Sequence, residues 1–147
     1  MSIIQVSLEE KIERLEAIEE IRKLIANYCH GVDKKEYDLF LNIWHKEAVF
    51  DVPHIRVGSG IEEITDMLET IKSNSKESYH HISNSVIEVN GNTASGIHDV
   101  LFGRLLANDE YSLLSGTYRD EYVEENGRWY VKKRAFTPHP IKSPIFD

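Results

Sequence analysis

Apolar residues recur every three or four positions in the first half of the chain, and every two positions in much of the second half. Ser7 and Glu10 form a capping-box pattern ahead of a run whose apolar residues keep helical spacing as far as Tyr28. We expect this helix to end near Gly31, because glycine readily adopts the left-handed conformation that commonly follows a helix.

Two more helices and a short strand are predicted next. Asp33 and Glu36 have the spacing of an N-cap and an N3 residue, so a second helix is expected within residues 33–44. The short apolar run at 48–52 predicts a strand, and the one-sided apolar stripe of 60–73 predicts a third helix.

The remaining chain alternates between apolar and polar residues and contains three turn signals. Asn-Gly pairs at 90–91 and 126–127, and a weaker Asn-Asp pair at 108–109, are typical of tight hairpins. Helices followed by hairpin-linked strands predict an α+β fold, in which the helices pack on one face of a strongly curved antiparallel sheet. The four long strands are expected at about 79–90, 93–107, 110–124 and 128–137.

Length and composition favour one domain. The 147 residues are 41% hydrophobic and 29% charged, as expected of a globular chain with its own core. We expect a single domain over 1–147, with a core at about 8–137 and a C-terminal tail at 138–147. The proline-rich end of the chain is expected to form a loose tail rather than a strand.

Charge and cysteine content exclude several classes of function. The net charge is −8 and no cluster of Lys and Arg is present, which disfavours nucleic acid and anionic membranes as partners. No apolar run approaches 18 residues and no leader pattern is present, so a cytoplasmic protein is expected. The single cysteine, Cys29, allows neither an internal disulfide nor a cysteine metal cluster.

Two adjacent histidines head the first long strand, and alternation sends them to opposite faces of the sheet. His81 shares its parity with Ser83 and Ser85, a polar set that would suit a cavity wall better than a solid core. On the next strand, His98 and Arg104 share a face with apolar residues, which again indicates a pocket.

The order of three segments resembles the SnoaL-like, NTF2-like superfamily, and most of all its branch of dehydratases and dehydrochlorinases. The segments read AIEEIRKLIANYCHGVDKKEYDLFLNIWHKEAVFDV, GIHDVLFG and YRDEYVEENGRWYVKKR. This resemblance implies a cone-shaped fold around a deep pocket, with a catalytic Asp from the end of the first helix and a His from the first long strand. By position these residues are Asp33 and His81, which leaves His80 outside the pocket.

Such a pair supports elimination without a cofactor or a metal. Histidine titrates near neutral pH, and a carboxylate that orients the ring turns it into a base for a C–H proton. In place of the lysine of dehydrochlorinases the chain has Tyr28, as in bile acid 7α-dehydratases, which implies donation of a proton to a departing hydroxyl. Arg134 matches an active-site arginine of the branch and could steady developing negative charge.

The remaining pocket wall is predicted from strand parity and helix spacing, supported by family positions. The same residues also have structural interpretations: Asp33 as a helix cap, His81 as a hydrogen-bonded strand residue, and Tyr28 as a core aromatic. Substrate contacts are expected from Cys29, Trp44, Phe50, His98, Val100, Phe102, Tyr118 and Phe136.

We therefore expect a lyase that removes water from, or adds it to, a small to medium hydrophobic, cyclic substrate. The alternative is a non-lyase pocket domain of the same fold, such as an isomerase, a polyketide cyclase or a ligand-binding protein. Ile82, Val86, Leu101 and Leu105 are predicted on the outer sheet face, which favours a homo-oligomer, either a trimer or a dimer.

Overall fold

The computed structural model describes residues 6–53 and 56–140, and these residues form three helices and a single six-stranded sheet, with α3 inserted between the second and third strands. The helices are α1 (Leu8–Asp33), α2 (Tyr37–Leu41) and α3 (Gly60–Asn74). The strands are β1 (Trp44–Val52), β2 (Arg56–Ser59), β3 (Ser75–Asn90), β4 (Thr93–Leu106), β5 (Tyr111–Glu125) and β6 (Arg128–Pro138).

The six strands lie in the order β2-β1-β6-β5-β4-β3. All neighbouring pairs are antiparallel except β1 and β6, which run parallel. The α+β architecture and the four long strands were predicted, and both are confirmed. The short strand β2 was not predicted. The parallel pair was not predicted either, because β1 and β6 are about 80 residues apart and no local pattern encodes their contact.

The hairpin turns follow the sequence signals. Asn126 and Gly127 both have positive φ, 55° and 76°, and they join β5 to β6 between the paired residues Glu125 and Arg128. Gly91, with φ of 61°, begins the turn between β3 and β4. The Asn-Gly turn is therefore confirmed at 126–127. The hairpin between β3 and β4 is also present, but its two-residue loop is Gly91-Asn92, because Asn90 still pairs with Thr93.

Helix α1 begins as predicted but continues beyond Gly31. The Ser7 hydroxyl accepts from the backbone N–H of Glu10, and the Glu10 carboxylate accepts from the backbone N–H of Ser7. Gly31 does not end the helix. A Cβ at this position would lie 2.5 Å from the backbone nitrogen of Phe40, so glycine here permits a close approach of α2.

The prediction of a long second helix was wrong. Helix α2 spans only five residues, and its N-cap is Glu36 rather than Asp33. Asp33 is the last residue of α1, and Trp44 is the first residue of β1. The apolar stripe that suggested a longer helix arises because Phe40 and Trp44 both enter the same aromatic cluster.

The core lies between the sheet and the C-terminal part of α1 together with α2 and α3. Side chains of α1 become buried only from Ala17 onward, and Leu8, Ile12 and Leu15 of the predicted stripe are exposed. No helix in the described ranges is both long and apolar enough to cross a lipid bilayer.

A β-bulge divides β3 into two halves. The register with β4 shifts between Ser83 and Val86, and Asn84 within this interval has a φ of 49°. Before the bulge, His80 faces the interior, whereas after it Ser85 makes the inward contact. The bulge therefore reverses the alternation that the sequence alone suggests.

Two further predictions need correction. Ile82 does not lie on the outer face but packs against the core, while Val86 and Leu101 are exposed as expected. Pro138 of the predicted tail belongs to β6, where it pairs with Gly116. The rest of the tail prediction, from 141 to 147, falls outside the described residues.

Candidate active site

A carboxylate and an imidazole meet where the end of α1 contacts β3. Nδ1 of His80 lies 2.6 Å from Oδ1 of Asp33, and the backbone N–H of His80 donates to Oδ2 at 2.7 Å. The Ser78 hydroxyl donates to Oδ1 at 2.9 Å. The carboxylate is thus held by three donors from one strand, which fixes its orientation relative to the ring.

The arrangement determines which ring nitrogen of His80 carries the proton. Burial favours a higher pKa for Asp33, but the hydrogen bonds from His80 and Ser78 outweigh it and lower the pKa of this carboxyl. The ionised carboxylate can only accept, so Nδ1 of the neutral ring is the donor and Nε2 keeps its lone pair. Nε2 has no hydrogen-bond partner among the described residues.

His81 does not take the position that parity predicted for it. Its side chain is exposed on the outer face, and the bond to Asp33 is made by His80 instead. The prediction extended one alternation through the whole strand. Ser85, whose hydroxyl contacts the buried His98, has the same parity as His81, but the bulge between them places His81 on the opposite face.

His80 opens onto a cavity of about 110 Å³, here called the His80 cavity. A second cavity of about 180 Å³, here called the Arg56 cavity, shares four of its lining residues. The ring of His80 stacks on Phe102 with centroids 4.3 Å apart, and its edge faces Tyr28 at 5.6 Å. The His80 cavity is lined by Tyr28, Val32, Phe50, Val52, Ile71, Ser75, His80, Phe102, Arg104, Leu114, Tyr118 and Phe136.

Two buried tyrosines, Tyr28 and Tyr118, contribute hydroxyl groups to the lining of the cavity. The hydroxyls of Tyr28 and Tyr118 are 3.3 Å apart, and the guanidinium carbon of Arg134 lies 4.3 Å from the centre of each ring. Burial raises the pKa of both tyrosines, although the Arg134 charge opposes this effect. Both phenols therefore remain protonated at neutral pH and are available as hydrogen-bond donors.

Arg134 does not line the cavity, contrary to the prediction. It is fully buried behind the two tyrosines, where Nε and Nη2 donate to the Asp120 carboxylate at 2.9 and 2.6 Å. Its Nη1 has no partner among the described residues. Arg134 therefore contacts Tyr28 and Tyr118 but not the cavity itself.

His98 is likewise absent from the cavity. It is fully buried with Nδ1 2.9 Å from the Ser85 hydroxyl and Nε2 2.9 Å from the Tyr122 hydroxyl, which in turn donates to Asp120. Burial, with a contribution from the charge of Arg134, lowers the pKa of His98 from 6.5 to about 4. His98 is a neutral link in a structural hydrogen-bond network.

The remaining predicted residues divide into two groups. Phe50, Phe102, Tyr118 and Phe136 line the His80 cavity, as does Tyr28. Cys29, Trp44 and Val100 are buried in the core but do not line it. For Cys29, burial raises the pKa of the thiol to about 11, so the thiolate form is disfavoured.

Several contributors were not assigned from the sequence, among them Ser78, Asp120, Arg104 and the apolar lining residues Val32, Val52, Ile71 and Leu114. Ser78 lies ahead of the predicted start of the strand, Asp120 has no local pattern that marks it as a partner of Arg134, and Arg104 was noted without a role. The only available signal was the shared face of His98, Phe102 and Arg104. The described residues contain no group of three or more His, Cys, Asp or Glu side chains that could hold a metal ion.

The order of elements and the paired Asp and His can be compared with known proteins. The SnoaL-like domain family matches residues 13–135, which include both members of the pair. The chain belongs to the SnoaL-like domain family. Its Asp33 and His80 thus lie within the segment that the family shares.

A curated relative and solved structures extend this assignment. The SnoaL-like chain is 27% identical over 135 residues to hexachlorocyclohexane dehydrochlorinase 1 of Sphingobium indicum, covering 86% of this chain and 88% of the relative. The crystal structure of the dehydrochlorinase LinA matches with a TM-score of 0.84 at 25% identity, covering 88% and 90% of the two chains. These similarities support an enzyme of the lyase type.

A scytalone dehydratase-like protein of Novosphingobium aromaticivorans has the same fold. Its structure matches with a TM-score of 0.79 at 20% identity and covers 86% of each chain. At this identity the likeness establishes the NTF2-like architecture, in which helices close one face of a curved sheet.

Proposed function

We propose that the protein is a cofactor-independent lyase that removes water from, or adds it to, a small to medium hydrophobic cyclic molecule. The observation that carries this proposal is the Asp33–His80 pair, whose free Nε2 opens onto an apolar cavity beside Tyr28. The pair replaces the Asp33–His81 pair expected from the sequence. The lyase relative and the LinA structure support the reaction class.

The proposed elimination uses His80, Asp33 and Tyr28. Nε2 of His80 takes a proton from a substrate carbon, and Asp33 stabilises the imidazolium that forms. The electrons of the C–H bond form the new double bond as the C–O bond breaks. Tyr28 gives its proton to the departing oxygen, so water leaves, and the imidazolium proton returns to the phenolate to restore the starting state.

Arg134 has a positioning role in this scheme. Its guanidinium lies 4.3 Å from the ring centres of Tyr28 and Tyr118, so it favours the transient negative charge on the phenolate without contacting the substrate. The Tyr118 hydroxyl, 3.3 Å away, can donate to the same oxygen. This environment favours a hydroxyl leaving group, which needs a proton, over a halide, which does not.

We further propose that the protein self-associates through the outer face of its sheet, as a trimer or alternatively a dimer. Large apolar side chains are exposed there, including Tyr79 at 60%, Leu101 at 45% and Leu113 at 57%. Tyr79 and Leu113 both flank Gly103 in the strand register. A contiguous apolar surface of this kind usually lies in an interface.

The two histidines provide a matched test of the proposed reaction. Purified protein is incubated with a panel of cyclic secondary alcohols and with hexachlorocyclohexane, and products are followed by mass spectrometry. His80→Ala should reduce turnover by about 10²- to 10⁴-fold, the usual contribution of a general base. His81→Ala, one residue away and exposed, should leave turnover unchanged.

Two outcomes would contradict the proposal. Full turnover in His80→Ala would remove the base from the mechanism. Ligand binding without turnover of any panel member in the wild type, at high protein concentration, would favour the non-lyase pocket domain instead.

A further inference from the structure

Arg104 lies on the inner face of β4 beside the proposed base. It pairs in register with Ser78, and its guanidinium carbon lies 5.6 Å from the ring centre of Phe102, the residue on which His80 stacks. Arg104 lines both the His80 cavity and the Arg56 cavity. The lyase scheme gives this side chain no role.

The charge of Arg104 is not balanced by the cavity. Neither cavity has an Asp or Glu in its lining, and within the described part of the chain no carboxylate lies within 4 Å of Arg104. Its Nε is buried and has no acceptor among the same residues. Arg104 therefore differs from the fully buried Arg134, whose charge is paired with Asp120.

The second arginine of the Arg56 cavity differs from the first. Arg56 is exposed and lies 3.8 Å from the Asp66 carboxylate, so its charge is partly compensated in water. Arg104 is half-buried and surrounded by Phe102 and other apolar side chains of the lining. A half-buried guanidinium without a counter-ion is stabilised by an anionic acceptor more strongly than an exposed one.

We propose that the substrate carries a carboxylate, which Arg104 binds, attached to an apolar ring that packs against Phe102. The planar guanidinium offers paired N–H donors that match the two oxygens of a carboxylate. This inference rests on the proposed function only in taking the His80 cavity as the substrate site. It narrows the substrate class of the dehydration from neutral cyclic alcohols to hydrophobic cyclic hydroxy acids.

Two probes of nearly equal shape test the inference by binding alone. Cinnamate and cinnamamide differ in charge but not in their apolar part, and their dissociation constants are measured by isothermal titration calorimetry at neutral pH. Wild-type protein should bind cinnamate about tenfold more tightly. Arg104→Met should bind the two probes equally without weaker binding of cinnamamide, and Arg104→Lys should keep part of the preference.

Controls separate Arg104 from other charges. Arg22→Met removes an exposed arginine of α1 and should leave the preference intact. Equal binding of the two probes by the wild type would overturn the inference, and this measurement needs no variant to fold. A preference that persists in Arg104→Met, or that disappears in Arg56→Met instead, would overturn the assignment to Arg104.

The two proposals fail separately. The preference for cinnamate should persist in His80→Ala, since it reflects binding and not turnover. Turnover of neutral cyclic alcohols together with equal binding of the probes would leave the lyase intact and exclude the anion site. A carboxylate preference in a protein without turnover would leave the anion site intact and exclude the lyase.

Discussion

Arg134 and Asp120 form a two-point ion pair in which both side chains are completely buried. The pair supports the aromatic end of the cavity, because the guanidinium also lies against Tyr28 and Tyr118. Two charges removed from water are tolerated only as long as each retains the other.

Removal of one member of this pair should therefore be costly. Arg134→Met leaves the Asp120 carboxylate buried without its partner, and we expect a loss of about 3–5 kcal/mol in the free energy of unfolding. Urea denaturation followed by circular dichroism measures this. The double variant Arg134→Met/Asp120→Leu should recover much of the loss, and a double variant as unstable as Arg134→Met would show that packing rather than charge dominates.

The Asp33–His80 bond predicts strong non-additivity in turnover. Asp33→Asn should slow the reaction, because an amide cannot stabilise the imidazolium as a carboxylate does. In the His80→Ala variant, Asp33 no longer has an imidazole to orient, so Asp33→Asn should have little further effect. The double variant should therefore have nearly the kcat/KM of His80→Ala alone, whereas multiplicative losses would mean that the two residues act independently.

Tyr28→Phe tests the identity of the leaving group. It should slow loss of a hydroxyl strongly, because the departing oxygen then lacks its proton, and slow loss of a halide only mildly. Parallel measurement of kcat for an alcohol and the corresponding chloride gives the comparison. Tyr118→Phe is the matched variant, since it removes only the neighbouring hydroxyl. Equal slowing for both leaving groups would make Tyr28 a positioning residue.

The burial of His98 leads to a prediction of how the free energy of unfolding depends on pH. Its pKa is lowered by burial from 6.5 to about 4 in the folded state, so the unfolded chain binds a proton that the folded chain rejects. This contribution to stability is fully present above pH 6.5 and is lost as the pH falls through about 4.

The urea midpoint, measured between about pH 7 and about pH 4, reports this contribution. His98→Gln cannot titrate but can still bond to Ser85 and Tyr122, so its midpoint should fall less steeply as the pH decreases. His30→Gln, at an exposed site on α1, is the control and should follow the wild type. An identical slope for His98→Gln and the wild type would contradict the burial of a neutral ring.

The outer sheet face predicts self-association. Sedimentation equilibrium at micromolar protein concentration should give a trimer or a dimer, and Leu101→Lys, which places a charge on the exposed apolar face, should shift the distribution to monomers. Arg22→Lys, on α1, keeps its charge and serves as the control. A wild-type monomer would exclude this interface.

Local patterns determined the elements that depend on neighbouring residues. The Ser7–Glu10 capping box starts α1 as expected, and Asn126-Gly127 forms the predicted hairpin, because caps and tight turns involve contacts within four residues. Asp33 and Tyr28 became candidate site residues through the resemblance to the SnoaL-like family rather than through a local pattern. The local patterns also predicted the four long strands, because the alternation of side chains along a strand is a local property.

Tertiary structure decided which residues meet. The bulge near Asn84 placed His80 rather than His81 beside Asp33, since one extra residue in a strand reverses every side chain on one side of it. Helix α1 continues to Asp33, and Gly31 within it is packed closely against Phe40. The burial of Arg134 against Asp120 depends on the register of β5 with β6, which places the two residues opposite each other. Composition and sequence spacing do not determine the distance between these two side chains.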